Sequence, residues 1–113
     1  LNLELPDLKL TPRQIIVELA ELAQELKLPH PIHLHGNNLG MPGNWRTTQE
    51  TIRALAGLPA HLTHIQYHSY AGGAGDETTF GSRVAELVAE LDAQPQITVD
   101  VGQALFGPTL SMT

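Results

Sequence analysis

The chain of 113 residues contains no cysteine. Disulfide bonds, thiolate zinc sites, iron–sulfur clusters and a cysteine nucleophile are therefore excluded within this sequence. A metal ion held here would have to be bound by histidine or carboxylate side chains, which zinc accepts as ligands. The sequence offers six histidines and twelve acidic residues for that purpose.

Basic residues are scarce and scattered: six lysines and arginines stand against twelve acidic residues, and the formal net charge is −6. Proteins that bind nucleic acid carry a basic stripe, so we expect no nucleic-acid partner. Long hydrophobic runs are also missing, because no stretch approaches the roughly 20 apolar residues that span a bilayer. No basic segment leads into an apolar stretch, as a signal peptide would require. The sequence thus predicts a soluble, cytoplasmic protein with no membrane partner.

Helical and extended segments alternate along the chain. The apolar spacing of residues 15–26 predicts a first helix over residues 11 to about 27, and Thr11 with Gln14 forms a capping-box pattern. The later elements are predicted as strand 32–35, helix 47–57 capped by Thr47, strand 62–68, helix 82–91 and strand 97–101. The glycine-rich residues 71–75 are predicted to be a loop.

This alternation is typical of a parallel α/β fold, in which a strand, a crossover helix and the next strand occupy roughly thirty residues or more. A closed (β/α)8 barrel and an open doubly wound sheet both satisfy the pattern, and periodicity does not separate them. A barrel of eight units needs roughly 250 residues. In a barrel, the present chain would therefore be one part of the domain.

The histidines all lie in or beside the first two predicted strands. Side chains two residues apart on a strand share a face, so His33 would lie beside His35, and His64, Gln66 and His68 would form a second row. Parallel α/β folds place their active sites at the carboxyl ends of the strands. His35 and His64 lie toward those ends. They are the preferred metal ligands, because zinc binds histidine nitrogen and needs three or four convergent ligands.

Each polar candidate also has a structural interpretation. A single strand histidine is more often a hydrogen-bonded structural residue than a ligand, and His30 and His61, at the predicted strand starts, are assigned to that group. Asp100 either supplies a carboxylate to the site or caps a loop. Asn37 and Asn38 occupy positions where short amides commonly fix turns, and they could equally bind a substrate.

Three segments together resemble a known family. They read PIHLHGNNLGMPGN at residues 31–44, THIQYHSY at residues 63–70 and DVGQ at residues 100–103. This combination resembles the A-subunit family of formylmethanofuran dehydrogenases, which includes the A-subunits of formyltransferase/hydrolase complexes and lies within the amidohydrolase superfamily. The likeness extends from residue 11 to residue 113, and the histidine-rich block with Asn-Asn-Leu-Gly is its specific part.

The resemblance implies that residues 1–113 are an internal fragment of a single catalytic domain, a TIM-type (β/α)8 barrel, covering roughly units five to seven. It also implies a two-zinc centre in which strands five and six each end in a metal-binding histidine, and these fall on His35 and His64. His33 and His68 share their faces and are alternatives for the metal role. The other ligands of the family have no counterpart in this sequence.

The reaction implied by the resemblance is metal-assisted hydrolysis of an N-formyl amide, carried on a methanofuran-type amine, to formate and the free amine. His35 and His64 would be the catalytic metal ligands, with His33 beside them. Substrate contacts would fall to Asn37, Asn38, Gln66 and His68. The implied partners are the other subunits of a formyltransferase/hydrolase or formylmethanofuran dehydrogenase complex.

Two alternatives stay open at this point. One is a cyclic-amide hydrolase of the dihydroorotase or hydantoinase kind, which shares strand-end histidines, although residues 37–40 speak against it. The other is a non-catalytic, degenerate barrel segment whose histidines bind nothing. The sequence decides neither the direction of the reaction nor whether the complex is bacterial or archaeal.

Overall fold

The structure is a computed structural model that describes residues 1–73 and 76–102. Part of the predicted glycine-rich loop, residues 74 and 75, and the end of the family-like segment at Gln103 lie outside the described residues. The elements follow in the order α1 Pro12–Glu25, β1 Ile32–Leu34, α2 Trp45–Leu55, β2 Ala60–Leu62, a 3-10 helix Ile65–His68, β3 Tyr70–Gly73, β4 Asp76–Ser82, α3 Val84–Asp92 and β5 Ile97–Val99. Within this part of the chain, no helix combines the length and the hydropathy needed to cross a membrane.

Helix α1 begins as the sequence predicts. The backbone N–H of Gln14 donates to the Thr11 hydroxyl over 3.2 Å, and the Thr11 N–H donates to Gln14 Oε1 over 2.8 Å. This reciprocal pair satisfies two of the N–H groups that a helix start leaves free. Ala20 is the residue of the helix that is buried, while Leu19 and Leu22 stay 50% and 48% exposed. The predicted apolar stripe is therefore only partly covered.

Strands β1, β2 and β5 form a parallel sheet in chain order, with α2 and α3 as the crossovers. The register aligns His33 with His61, and His61 with Thr98. The predicted parallel α/β arrangement is confirmed for these elements. The order does not reverse, as it would at the centre of a doubly wound sheet. The described strands form an open sheet and do not show a barrel.

The helices cover one face of this sheet. The buried core joins one residue of α1, two of α2 and one of α3 to alternate residues of the strands: Ala20, Ile52, Leu55, Leu87, Ala60, Leu62 and Ile97. Side chains alternate between the faces of a strand, so His33, His61 and Thr98 lie on the opposite face. That face carries a polar row that none of the three helices covers.

The predicted strand 62–68 is wrong. The second strand is Ala60–Leu62, and the chain leaves the sheet at Thr63. His64 then takes a left-handed backbone conformation, with φ 40° and ψ 49°, and residues Ile65–His68 form the 3-10 helix. A run of a few alternating residues does not fix where a strand ends. His64, Gln66 and His68 consequently do not form a row on one strand.

Two further predictions need correction. Helix α2 starts at Trp45 with Asn44 before it, so Thr47 is not its cap. The Thr47 carbonyl instead accepts the hydroxyl of Thr51 inside the helix. The predicted loop is largely an antiparallel hairpin of β3 and β4, in which Tyr70 pairs with Ser82. Glycine-rich composition favours loops, but pairing with a partner strand overrode it here.

Candidate functional site

A row of three imidazoles lies where the first two strands end. His35 directly follows β1, and its Nδ1 lies 3.1 Å from Nε2 of His64, which follows β2 after one further residue. The other ring nitrogen of His64, Nδ1, lies 3.1 Å from Nε2 of His68. His35 and His64 therefore lie next to each other, and His68 lies next to His64; their assignment as metal ligands stays a prediction.

The three rings do not aim at a single point. His64 lies in the middle and turns a different nitrogen to each neighbour, so His35, His64 and His68 cannot all face one ion as arranged. In agreement, no group of three or more histidine or acidic side chains among residues 1–73 and 76–102 is arranged to hold a metal ion. The described residues provide one pair of neighbouring nitrogens, His35 Nδ1 and His64 Nε2, whose separation suits two ligands of one metal ion. The ring of His68 contacts the other nitrogen of His64.

His68 is the buried end of the row, with 2% of its surface exposed. Burial lowers the pKa of His68, and the neighbouring His64 and His35 lower it further, while the backbone of Asn37 acts in the opposite direction. Its Nδ1 is buried without a hydrogen-bond partner of normal geometry among the described residues. The ring packs against the backbone of Gly36, where a Cβ would lie 2.8 Å from Nδ1 and Cε1.

His33 and His61 form a separate pair on the open face of the sheet. Their ring centroids lie 4.6 Å apart. Both nitrogens of His61 are engaged, since Nδ1 lies 2.8 Å from the Thr98 hydroxyl and Nε2 lies 3.0 Å from Oδ2 of Asp100. The sequence predicts His61 at a strand start, but it is the middle residue of β2, which spans Ala60–Leu62. The structure brings His33 to His61, and not to the pair of His35 and His64.

Asp100 links this second group to the histidine row. Its Oδ1 accepts a hydrogen bond of 2.6 Å from the backbone N–H of His64. The hydrogen bond from His61 is the main cause that lowers the pKa of the Asp100 carboxyl, followed by the N–H of His64. The carboxylate therefore stays ionised and holds both partners. Of the two possibilities that the sequence leaves open, the contacts favour a role in fixing the chain.

The side chain of Gln66 is bound to the backbone of Gly102, and the backbone of Asn38 forms part of a turn. Oε1 of Gln66 accepts from the N–H of Gly102 over 3.1 Å, and its Nε2 donates to the Gly102 carbonyl. Asn38 has a left-handed φ of 59°, and its carbonyl accepts from the side chain of Asn44 over 2.9 Å. The left-handed backbone of Asn38 favours its turn-forming role, and both Asn37 and Asn38 are exposed.

Asn44 is a structural residue that the sequence predictions missed. Only 4% of it is exposed, and its side-chain N–H group also donates to the Tyr67 carbonyl over 2.7 Å. Its Oδ1 accepts from the backbone N–H of Tyr70 over 3.0 Å. Asn44 therefore ties the loop after His35 to the 3-10 helix. An asparagine ahead of a helix was the available signal, but Thr47 offered the same signal.

A cavity of about 100 Å³ lies beside the row, lined by His35, Asn37 and His68 among others. Small-molecule sites usually measure roughly 300–1,000 Å³. This cavity is therefore too small to enclose a typical small-molecule ligand.

Relatives of this chain are known, although no family model matches it. It is 39% identical over 119 residues to Protein FwdA of Methanocaldococcus jannaschii, and the match covers 96% of this chain and 21% of that protein. It is 35% identical over 114 residues to the Fhc A-subunit of the formyltransferase/hydrolase complex of Methylorubrum extorquens, a match covering 97% of this chain and 21% of that one. The chain thus spans about a fifth of the length of these relatives.

A solved structure has the same fold. The crystal structure of the formyltransferase/hydrolase complex FhcABCD from Methylorubrum extorquens, in complex with methylofuran, contains a chain that superposes with a TM-score of 0.85 at 36% identity. The superposition covers 95% of this chain and 20% of that one. The resemblance found in the sequence is confirmed: over nearly its whole length, the chain is homologous to one segment of the proteins of the family that includes FwdA and the Fhc A-subunit.

Proposed function

We propose that the chain is part of the catalytic domain of an enzyme subunit of this family that hydrolyses an N-formyl amide of a methanofuran-type carrier to formate and the free amine. Two findings support this substrate class over a cyclic amide. One relative is named as a component of a formyltransferase/hydrolase complex, and the similar solved structure is a complex with methylofuran. The observation that carries the proposal is the 3.1 Å approach of His35 Nδ1 to His64 Nε2.

The domain would be a (β/α)8 barrel to which these residues contribute about three consecutive units. Neighbouring strands in chain order and helices on a single face support this, because a barrel has both features. The open face with His33, His61 and Thr98 would then line the barrel interior. The carboxyl ends of β1 and β2 would belong to the active-site end, where TIM-barrel enzymes bind their substrates.

The spacing of the His35 and His64 nitrogens fits a zinc ion. Its bonds to imidazole nitrogen are about 2.0–2.1 Å long, so two ligand nitrogens of a tetrahedral site lie about 3.3 Å apart. The 3.1 Å between His35 Nδ1 and His64 Nε2 is close to that value. Zinc held by these atoms would supply Lewis acidity toward the formyl carbonyl and a water nucleophile at neutral pH. Further ligands, including those for a second zinc, would come from other parts of the full-length protein.

His68 would support the site through His64. If His64 binds through Nε2, its Nδ1 is left free, and Nε2 of His68 lies 3.1 Å from that atom. A partner on the free nitrogen fixes the tautomer and orientation of a metal-binding histidine. Burial lowers the pKa of His68, which favours the neutral ring. This position suits an orienting role better than contact with the substrate.

Asn37 is well placed among the proposed substrate-binding residues. It is exposed and lines the cavity beside His35 and His68, whereas Asn38 does not line that cavity and the side chain of Gln66 is bound to the backbone of Gly102. We expect the full-length protein to act with the other subunits of a formyltransferase/hydrolase or formylmethanofuran dehydrogenase complex. A cytoplasmic location stays a prediction.

The experiment compares His35→Ala and His64→Ala with His30→Ala in the full-length protein that carries these residues, purified in its complex. His30 is exposed and is the matched control, since it is the same residue type away from the row. Zinc content and formate release from an N-formylated methanofuran-type amine are measured for each. We expect both to be lost in the first two variants and kept in the third. Equal zinc and equal formate release in wild type and His64→Ala would contradict the proposed site.

A further inference from the structure

His64 occupies a strained place in the chain. Its φ of 40° and ψ of 49° lie in the left-handed region, where a residue with a Cβ crowds its own backbone. Such a conformation persists only when the contacts around it compensate. The turn at His64 takes the chain out of β2, and in this conformation the imidazole lies next to that of His35.

Asp100 supplies compensating contacts from the end of β5, 36 residues farther along the chain. Its Oδ1 accepts the 2.6 Å hydrogen bond from the His64 N–H. Its own N–H donates to the Leu62 carbonyl over 3.2 Å, and its carbonyl accepts from the Ile65 N–H over 3.1 Å. One residue therefore binds the chain before, at and after the left-handed turn.

The carboxylate of Asp100 is itself held by His61. A carboxylate only accepts hydrogen bonds, so in the neutral ring Nε2 of His61 carries the proton that Asp100 Oδ2 accepts over 3.0 Å. Nδ1 of His61 then accepts from the Thr98 hydroxyl over 2.8 Å. With one oxygen on His61 and the other on the His64 backbone, the carboxylate is engaged at both ends.

Gly102 brings the chain after β5 against His64. A Cβ at Gly102 would lie 2.9 Å from the Cβ of His64, so glycine is needed for this approach. Gln66 fastens Gly102 through hydrogen bonds to its N–H and its carbonyl. Residues 100–102 thus form a support along one side of His64.

We propose that Asp100 is a positioning residue which, oriented by His61, fixes the backbone of His64 so that its ring faces both His35 and His68. It acts through the main chain and does not itself bind the metal. The expected effect on hydrolysis rests on the function proposed above. The expected effect on the position of the His64 ring does not, and it can be measured without turnover.

The test compares Asp100→Ala and Asp100→Asn with the control Asp92→Asn, an exposed acidic residue at the end of α3, in the full-length protein within its complex. Asp100→Ala removes the two hydrogen bonds of the carboxylate, to His61 and to the His64 N–H. This should lower zinc affinity, measured by chelator competition, about 10- to 100-fold. Asp100→Asn keeps an oxygen for the His64 N–H and should retain most of the affinity. In Asp100→Ala, the kcat of formate release should fall with little change in KM. A crystal structure of Asp100→Ala should show the His64 ring turned away from His35.

Wild-type zinc affinity together with an unmoved His64 ring in Asp100→Ala would overturn the positioning role. If that variant does not fold, His61→Phe decides: it frees Oδ2 of Asp100 and should weaken zinc binding in the same direction, and unchanged affinity there would also overturn the role. A wild-type complex that binds zinc but releases no formate would refute the proposed hydrolysis. A displaced His64 ring in Asp100→Ala would still support the positioning role in that case.

Discussion

The imidazole of His68 rests on the backbone of Gly36 so closely that a Cβ at residue 36 would lie 2.8 Å from the ring atoms Nδ1 and Cε1. Real Cβ atoms do not approach other atoms this closely, so any side chain at this position must push His68 away. Because His68 contacts His64 over 3.1 Å, a displacement at Gly36 would be passed along the histidine row.

Gly36→Ala should therefore weaken both the fold and the site. Overpacking of a close-packed position typically costs about 1–3 kcal/mol, and we expect the free energy of unfolding to fall by that amount. Zinc affinity should fall as well, because His68 no longer holds His64. Denaturant unfolding and chelator competition measure the two effects. Gly73→Ala is the control, since a Cβ there meets nothing within 4 Å; an equal loss in both variants would contradict the prediction.

Asn44→Ala should destabilise the loop between β1 and α2. The substitution leaves the Tyr70 N–H without the oxygen that Asn44 now provides. The carbonyls of Asn38 and Tyr67 each lose one hydrogen bond but keep a backbone N–H partner. A buried polar group left unpaired costs about 1–3 kcal/mol, so we expect the free energy of unfolding, measured with denaturant, to fall by about 1–3 kcal/mol. Asn37→Ala, at an exposed site, should change stability by less than about 0.5 kcal/mol. A neutral Asn44→Ala would mean that the loop is held by other contacts.

Glu90 joins α3 to α2 by accepting hydrogen bonds from Arg53 and from Gln49, the latter over 2.8 Å. The hydrogen bond from Arg53 is the main cause that lowers the pKa of the Glu90 carboxyl. A lowered carboxyl pKa stabilises the fold at pH values above the pKa of the unfolded state, and the gain is lost as the pH falls through the folded pKa.

Glu90→Gln should accordingly be less stable than wild type near pH 7, and the difference should shrink as the pH is lowered through about 4 toward 3. The effect should be small, because exposed ion pairs contribute little. Thermal unfolding over that pH range measures it. Glu21→Gln, on an exposed part of α1, should show no such trend, and a difference that grows on acidification would have the wrong sign.

His33→Ala should leave zinc binding close to that of wild type. The ring of His33 packs on His61 and not on His35 or His64, so its loss removes no nitrogen from the proposed pair. His35→Ala, two residues on, should lower zinc affinity strongly. Chelator competition on the two variants separates the alternatives, and a loss in His33→Ala as large as that in His35→Ala would restore His33 as a ligand.

Several features were determined by the sequence itself. The capping box of Thr11 and Gln14, the alternation of helices with parallel strands, and the assignment of His35 and His64 to two successive strand regions all depend on residues a few positions apart. Capping hydrogen bonds and side-chain periodicity act over that range, so the sequence displays them directly. The family resemblance is also a property of the sequence, and the relatives confirm it.

Other features were decided only by the tertiary structure. The left-handed turn at His64 is held by Asp100 at a separation of 36 residues, and Asn44 bonds to Tyr67 across 23 residues. Locally, residues 62–68 alternate like a strand and residues 71–75 read as a loop, yet distant partners make the first a turn with a 3-10 helix and much of the second a hairpin. Contacts between residues this far apart in the sequence outweigh local conformational preferences, which amount to about a fraction of a kcal/mol per residue. His61 and Asp100 therefore became visible as supports of the site only once the chain was folded.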